Sequence, residues 1–401
     1  MSTRTGGLKE ILILSAAFFF SYLGVGAIQP FLTPYLEEET DRPGTEVVWV
    51  LGSVYLAGIF MRLVAALMVN KLGARMTVIL GLLMCTGFSW LIVVTTHIGI
   101  LLFGAFFWGW GAGCIWVAGT SMVLDFSPED RYGTNTSILF AAVYLGQGAG
   151  VCLLGWIGAK FGKADLFFWA AVISIPANVV SFMFPKAGGK TEPANLAEGM
   201  KVLVSLQGII VSVLLLSSSF GFGILLGNLS GSVARSTEMQ GFGSVGPVTL
   251  GFYVARLVCT SFAGPLSDRF GRAPLLVVAY AASAIGLFAA GASDSPEILF
   301  AAALSLGVQM GIASVAVGAL VGDWAPPEKR HVLLGSLYIW HGLGAALSLI
   351  LGEQLKAWLN AYRPTFTVFG AVMALCAILA VVLGFLLRKE KRSEQKAASE
   401  G

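Results

Sequence analysis

Two short polar segments of this chain recur 198 positions further along, and this repeat constrains the fold most. The sequence Asn-Lys-Leu-Gly at 70–73 is matched by Asp-Arg-Phe-Gly at 268–271. Asp125 likewise recurs as Asp323, and each is followed three residues later by a proline. Because both segments keep one offset, the sequence predicts two homologous halves.

The composition places these halves in a lipid bilayer. Hydrophobic residues make up 56% of the 401 and charged residues only 12%, so a soluble fold would expose too much apolar surface. A helix that crosses about 30 Å of hydrocarbon needs roughly 20 residues. Twelve stretches are long enough: 11–36, 46–69, 76–96, 99–125, 134–158, 166–185, 204–228, 245–266, 274–292, 297–322, 332–355 and 364–388.

The predicted fold class is therefore an all-α membrane protein, with twelve transmembrane helices in two six-helix bundles related by pseudo-two-fold symmetry. Residues 1–185 form the first bundle, 186–203 a polar cytoplasmic linker, 204–389 the second bundle and 390–401 a cytoplasmic tail. Most Lys and Arg residues lie in the N-terminus, the tail and the loops after even-numbered stretches. The positive-inside rule then predicts a multi-pass protein of the cell (inner or plasma) membrane with both termini cytoplasmic.

Other classes of function find no support in the sequence. The net charge of +3 follows from the topology and gives no reason to expect nucleic acid as a partner. The five cysteines lie inside apolar stretches without paired spacing. There is no nucleophile paired with a base, no metal-ligand cluster and no phosphate-binding loop. We expect no enzymatic activity, no cofactor and a monomer.

The second copy of the repeated loop, Gly-Pro-Leu-Ser-Asp-Arg-Phe-Gly-Arg at 264–272, resembles the signature loop of the major facilitator superfamily. Together with the weaker first copy and the twelve stretches, the resemblance covers the whole chain. It implies a secondary transporter that works by alternating access. An Asp in this loop can bond the exposed N–H groups of the next helix while basic residues stay at the interface. The gating residues expected from the two copies are Asp268, Arg269, Arg272, Asn70 and Arg75.

The second repeated segment ends the fourth and tenth stretches with acidic and basic residues. Similar clusters in the superfamily form cytoplasmic salt bridges, so we expect a gating role; ordinary interfacial charges are the alternative. These residues are Asp125, Arg131, Asp323 and Arg330. Arg62 lies roughly 12 Å along a helix from the first loop, and is interpreted as a gate partner of Asp125, a second anion contact or a structural residue.

Once the charges at the ends of the stretches and in the loops are removed, few remain: Arg62, Arg256 and, near an outer end, Glu353. Arg256 precedes Asp268 by roughly 18 Å of helix, which places it near the midplane. A charge at that depth costs on the order of 3 kcal/mol and persists where it faces a cavity or a partner. Because a guanidinium binds a carboxylate through two hydrogen bonds, we predict that Arg256 binds a small organic anion. The alternative is a structural contact with backbone carbonyls.

A histidine and several uncharged polar residues also reach the depth of the predicted cavity. With an ordinary pKa of about 6.5, the imidazole of His341 can carry a proton or a switchable charge. A hydrogen bond between helices is the alternative role. The further predicted substrate contacts are Tyr338, Tyr144, Gln147, Gln29 and Gln309.

Residues 46–75, with Trp49 near their start, resemble the second helix and loop of monocarboxylate and oxalate/formate carriers. The resemblance implies that Arg256, preceded by Val and Ala, grips a substrate carboxylate and that His341 assists. Those carriers place the Arg one turn later, where this chain has Thr260. The proline of the glycine-rich fifth-helix motif of drug antiporters is absent here, where the glycines are Gly146, Gly150 and Gly155.

The leading hypothesis is a transporter in the lipid bilayer that moves a small, monocarboxylate-like organic anion together with a proton. The first alternative is a multidrug or metabolite exporter that exchanges its substrate for protons. The second is a sensor or assembly factor of the same fold that transports nothing.

Overall fold

Helix dominates the part of the chain that the computed structural model describes, which is residues 7–127, 132–185, 206–235, 242–324 and 330–400. The predicted linker at 186–203 and Arg131 lie outside these residues. In the first half the helices are α1 Leu8–Leu23, α2 Gln29–Thr40, α3 Gly44–Leu72, α4 Ala74–Val94, α5 Ile98–Phe126, α6 Tyr132–Lys160 and α7 Lys163–Ser181.

The helices of the second half follow in the same order. They are α8 Leu206–Ser218, α9 Phe220–Ile224, α10 Ser230–Arg235, α11 Phe242–Phe270, α12 Arg272–Ala292, α13 Pro296–Trp324, α14 Arg330–Leu359 and α15 Tyr362–Glu400. The first and last residues of α3, α4 and α5 recur 198 positions later as those of α11, α12 and α13. The helix bounds thus repeat with the offset that the sequence shows.

Eleven helical segments of the described part are long and apolar enough to cross a bilayer. The remaining predicted stretch, 332–355, falls on α14, which is 30 residues long. Because consecutive spans alternate in direction, the connections at 41–43 and 161–162 lie at one end of the helices of the first half. Those at 293–295 and 360–361 lie at the corresponding end of the helices of the second half. In each half we call this the distal end and the other the terminal end.

Both repeated loops turn on a glycine with a backbone conformation that other residues avoid. Gly73, between α3 and α4, has φ +82° and ψ 155°, and Gly271, between α11 and α12, has φ +92° and ψ 156°. A Cβ is strained in this region whatever the space around it. The connection between spans can therefore be a single residue in each half.

The first span of each half is interrupted, whereas the sequence predicted one continuous stretch in each. A 3-10 turn at Val25–Ile28 separates α1 from α2, and a π-helical segment at Leu225–Leu229 separates α9 from α10. At the first break, a Cβ on Gly24 would lie 2.5 Å from the carbonyl oxygen of Ala170 in α7. Close packing of the backbones therefore requires glycine at this break.

The chain forms two compact units. Unit 1 contains the described parts of 1–192, 225–253 and 349–354, and unit 2 contains the described parts of 193–224, 254–348 and 355–401. In unit 1, α5 packs on α3 and α4, and α1 packs on α6 and α7. In unit 2, α12 packs on α13 and α15, and α8 packs on the same two helices.

Glycines set corresponding helix contacts inside each unit. A Cβ on Gly113 of α5 would lie 3.5 Å from the backbone nitrogen of Arg62 in α3. In unit 2, a Cβ on Gly311 of α13 would lie 3.2 Å from the backbone nitrogen of Thr260 in α11. Both pairs are related by the offset of 198, so the two halves share this helix packing.

Candidate functional site

A cluster of aromatic rings joins α1, α5 and α6 in unit 1. Trp116 stacks on Phe140, with ring centroids 5.4 Å apart and an interplanar angle of 28°. Tyr22 meets Trp116 edge to face at 6.0 Å, and Tyr144 lies 6.1 Å from Phe140. We call these four residues the aromatic cluster. All four are half-buried, so their rings are partly accessible rather than sealed in the core.

The ring of Phe18 closes the buried side of this cluster. It is fully buried and meets Trp116 edge to face, 6.2 Å between centroids. A Cβ on Gly119, about one turn after Trp116, would overlap the Phe18 ring. The rings are thus held in place from behind by tight packing.

Two of the predicted glutamine contacts fix the interrupted first span. The hydroxyl of Tyr55 donates to Gln29 Oε1 at 2.6 Å, and Gln147 Nε2 donates to the carbonyl oxygen of Gly26 at 3.2 Å. Gln29 is 9% exposed and Gln147 is 4% exposed. Because Gly26 belongs to the 3-10 turn, Gln147 satisfies a backbone carbonyl that the break leaves outside the regular helix.

In unit 2, His341 lies against the junction between α8 and α9. Its Nδ1 is 3.3 Å from the hydroxyl of Ser218, and its backbone oxygen accepts a hydrogen bond of 2.6 Å from the hydroxyl of Ser219. The imidazole is half-buried. Gln309 is fully buried on α13, and a Cβ on Gly221 would lie 3.1 Å from its Oε1. In this arrangement Gln309 contacts protein.

The two predicted intramembrane arginines are both half-buried. Arg256 lies in the middle of α11, where α13 passes close by: a Cβ on Gly311 would lie 2.7 Å from the carbonyl oxygen of Arg256. Arg62 lies on α3 beside Gly113 of α5. Arg256 remains a predicted substrate contact, and Arg62 remains a predicted gating residue.

At the terminal end, the predicted gating residues contact their own half of the chain. Arg75 Nη2 donates to the carbonyl oxygen of Phe182 at 2.9 Å, which places a positive charge at the carboxyl end of α7. Arg272 Nη1 donates to the hydroxyl of Ser267 at 2.6 Å. Arg269 is exposed and lies 5.3 Å from the ring centroid of Phe270. Asp125 is half-buried in the last turn of α5.

The roles of several further predicted residues stay predictions because their side chains lie outside what the structure describes. These residues are Asn70, Asp268, Asp323, Arg330 and Tyr338.

Charged and polar contacts at the distal end of unit 1 were not predicted from the sequence. Arg235, at the end of α10, donates to Glu37 of α2, and Lys163 of α7 donates to Glu38. Gln354 Nε2 of α14 donates to the backbone oxygen of Thr45 at 3.3 Å. Within unit 1, these bonds tie segments from both halves of the sequence together. We call them the distal contacts.

Comparison with known proteins agrees with this architecture. Residues 14–246 and 211–401 match the Major Facilitator Superfamily. The crystal structure of the nucleoside transporter NupG resembles this chain with a TM-score of 0.75 at 12% identity, over 93% of this chain and 99% of that one. This likeness shows the fold.

Two curated relatives are similar in sequence. The multidrug efflux protein YfmO of Bacillus subtilis is 25% identical over 390 residues, which are 96% of this chain and 96% of that protein. The quinolone resistance protein NorA of Staphylococcus aureus is 22% identical over 179 residues, 44% of this chain and 45% of that protein. Since the family match runs from residue 14 to the end of the sequence, this chain belongs to the Major Facilitator Superfamily of multi-pass membrane transporters.

Proposed function

We propose that this transporter exports amphipathic organic compounds, aromatic ones above all, in exchange for protons. The observation that carries the proposal is the aromatic cluster of Tyr22, Trp116, Phe140 and Tyr144, whose rings are partly accessible. The names of YfmO and NorA, a multidrug efflux protein and a quinolone resistance protein, support it. They favour the exporter alternative over the symport of a monocarboxylate.

Aromatic rings suit a site that accepts many shapes. A ring face offers a large contact area with little directional demand, so planar compounds can stack at several angles. A ring face also attracts cations within about 6 Å of its centroid. A small carboxylate, in contrast, requires a precisely placed cationic donor. The cluster therefore favours flat or cationic amphipathic substrates over small anions.

Polar groups beside the cluster can orient such a substrate. Gln147 follows Tyr144 by three positions on α6, so the two side chains share a face of that helix. Gln29 lies at the start of α2, directly after the 3-10 turn. Interrupted helices at corresponding positions of two repeats are typical of transporter binding sites. We therefore retain Tyr144, Gln147 and Gln29 as proposed substrate contacts.

The proposed topology fixes which end of the helices faces the cytoplasm and which faces the outside. With both termini in the cytoplasm, as the positive-inside rule predicts, the distal end faces the outside. Export then requires that the distal contacts form while substrate enters from the cytoplasm and separate while it leaves.

Transport of an organic anion remains a second candidate, favoured by the half-buried guanidinium of Arg256 within the apolar span at 243–264. A charge at such a place commonly marks a substrate or ion pathway. This candidate predicts a substrate with a carboxylate and makes no use of the aromatic cluster. The two candidates therefore differ in substrate charge.

The deciding experiment uses purified protein in inside-out proteoliposomes with an acidic interior. We expect accumulation of ethidium and of a fluoroquinolone that collapses when the pH gradient is dissipated, with little effect of excess lactate or oxalate. Liposomes without protein give the background. Accumulation of labelled lactate or oxalate, without movement of either drug, would replace the export proposal with the anion candidate.

A further inference from the structure

Glu353 is a buried acidic residue of α14, the helix that contains the predicted membrane stretch 332–355. It lies on α14, six residues before the end of the helix at Leu359, so it is roughly 9 Å from the distal end. Its exposed fraction is only 1%. Acidic side chains are rarely buried at such positions without a function, because a charge is costly to remove from water.

The neighbour of this carboxyl group is Asn228, in the π-helical segment Leu225–Leu229. Asn228 Nδ2 lies 3.1 Å from the carbonyl oxygen of Gly352 and 3.5 Å from Glu353 Oε1. Single π-helical turns inside α-helices occur frequently at functional sites. The amide of Asn228 offers both a donor and an acceptor, so it can serve a carboxylate as well as a neutral carboxylic acid.

The π-helical segment and α14 approach each other closely at Gly227. A Cβ on Gly227 would lie 2.9 Å from Leu349 Cδ1 and 4.0 Å from Glu353 Oε1. One residue beyond Leu349 along α14, a Cβ on Gly52 of α3 would lie 2.9 Å from Ile350. Glu353 thus stands in a part of α14 that packs on α3 and on the π-helical segment at once.

Two ion pairs of the neighbouring elements lie near water at this end. Glu46 of α3 pairs with Arg42 at 2.9 Å, and both side chains are about half exposed. Arg235, which follows the π-helical segment, pairs with Glu37 of α2. On α14 itself, Lys356 comes one turn after Glu353, and its ammonium lies 5.1 Å from the ring centroid of Tyr362. Lys356 is close enough along α14 to stabilise the ionised form of Glu353 when this end opens.

We propose that Glu353 is a proton-binding site that couples closure of the distal end to protonation. Burial favours the neutral acid, because an ionised carboxylate loses its hydration in an apolar packing. Separation of the distal contacts admits water and favours the carboxylate. On closing, the carboxylate oxygen takes one proton from water at the distal side. The O–H bond breaks while the distal end is closed and the terminal end is open, so the proton leaves toward the cytoplasm, and the carboxylate that remains favours reopening of the distal end. This deepens the proposed function, since it rests on proton exchange.

A disulfide can report the closed distal end independently of any substrate. A Cβ on Gly243 of α11 would lie 3.3 Å from the Cβ of Ala159 in α6, so a shift of a few tenths of an ångström gives the usual Cβ separation of a disulfide, about 3.5–4.5 Å. The pair Ala159→Cys with Gly243→Cys, in full-length protein with Cys152→Ala, should therefore cross-link under mild oxidation when this end is closed. Glu353→Gln mimics the protonated acid. Glu39→Gln, at an exposed carboxylate of the same end, is the matched control.

Cross-linking is compared between the two variants at each pH, which cancels the effect of pH on the thiols themselves. At about pH 5.5 we expect the Glu353→Gln and Glu39→Gln proteins to cross-link to the same extent. At about pH 8.5 we expect the Glu353→Gln protein to cross-link about threefold more or better, since only the control has a residue 353 that can ionise and open the distal end. Glu353→Asp, which keeps a titrating group, should follow the control. A ratio that stays constant with pH would overturn the proposal.

Transport assays then separate this proposal from the proposed function. If the cross-linking ratio changes with pH but no drug moves, the proton site stands and the export proposal fails. If drugs move under a pH gradient in Glu353→Gln as in the control, the export proposal stands and Glu353 is not the coupling site.

Discussion

Trp116 stacks on Phe140 across two helices, and about one turn of α6 separates Phe140 from the next ring, that of Tyr144. The stack connects α5 to α6 through half-buried rings. A face built in this way has a fixed shape, because Phe18 supports Trp116 from behind. It can bind a flat molecule without rearranging.

Removal of the central ring should weaken drug export. We expect Trp116→Ala to raise the apparent Km for ethidium by about threefold to tenfold, since an aromatic pair contributes about 0.5–1.5 kcal/mol beyond area burial. Trp90→Ala is the control, because Trp90 meets Phe168 edge to face on α4 and α7, away from the cluster. Equal effects of the two changes on Km would contradict the assignment of the site.

The guanidinium on α11 should matter for anions only. We expect Arg256→Ala to lower transport of any organic anion by about tenfold or more, because a hydrogen bond to a charged group contributes about 1.5–3 kcal/mol. Export of a cationic dye should change little. Fluorescence size-exclusion chromatography measures how much of the variant is inserted and folded, and so controls for misfolding. Unaltered anion transport in this variant would remove Arg256 from the set of substrate contacts.

The break in the first span should not tolerate a side chain. Gly24→Ala places a Cβ against the backbone of Ala170 and about 2.9 Å from Ser174, so we expect a loss of about 1–3 kcal/mol of stability. Gly87→Ala is the control, since nothing lies within 4 Å of its Cβ position. Thermal unfolding in detergent compares the two. A melting temperature of Gly24→Ala that equals that of the control would show that α1 and α7 can separate there.

We expect Gly73 and Gly271 to be required because of their backbone conformation, and not because a side chain would clash with a neighbour. Nothing lies within 4 Å of a Cβ on Gly73, yet its φ is +82°. We expect Gly73→Ala and Gly271→Ala to cost about 1–3 kcal/mol each. At Gly264, where a Cβ also meets nothing within 4 Å and the backbone is helical, alanine should be neutral or slightly stabilising. Melting temperatures in detergent test this difference.

Exchanging the charges of Glu37 and Arg235 should restore the ion pair that reversal of one charge alone removes. Arg235 and Glu37 form an ion pair in which the arginine side chain is 52% exposed and the glutamate 12%. We expect Glu37→Arg to lower stability by about 1 kcal/mol or less, and to favour the open distal end in cross-linking. The double variant Glu37→Arg with Arg235→Glu should recover the closed state at low salt. No recovery would mean that the pair does not act in closure.

The repeat allowed much of the fold to be predicted from the sequence. The offset of 198 found in two polar loops also relates the helix bounds, the positive-φ glycines and the contacts of Gly113 and Gly311. Apolar length alone could not show the breaks near Gly24 and Leu225, because the residues there are as apolar as their neighbours. They depend on packing against other helices.

The aromatic cluster was missed for a similar reason. In a membrane protein, an aromatic residue in an apolar stretch can face lipid or a cavity, and hydropathy does not distinguish the two. Only Tyr144 of the cluster was expected to contact substrate. A usable signal was the glycine content around Trp116, since Gly119 leaves room for the supporting ring of Phe18.

The glycines of α6 occur without the proline of the drug-antiporter motif, so the motif alone does not indicate an exporter. In the structure, a Cβ on Gly146 would lie 2.5 Å from the carbonyl oxygen of Phe19, and Gly150 packs against Leu23 in the same way. These glycines let α6 pack on α1 without any proline.

The ion pair of Arg235 with Glu37 also bears on the history of the chain, because the two positions are 198 residues apart and therefore equivalent in the two halves. Immediately after a gene duplication, equivalent positions carry the same amino acid, and two arginines or two glutamates so close would repel each other. The opposite charges must have arisen later, by substitution in one copy. Fusion into one polypeptide thus made possible an attraction that an assembly of two identical subunits could not have had.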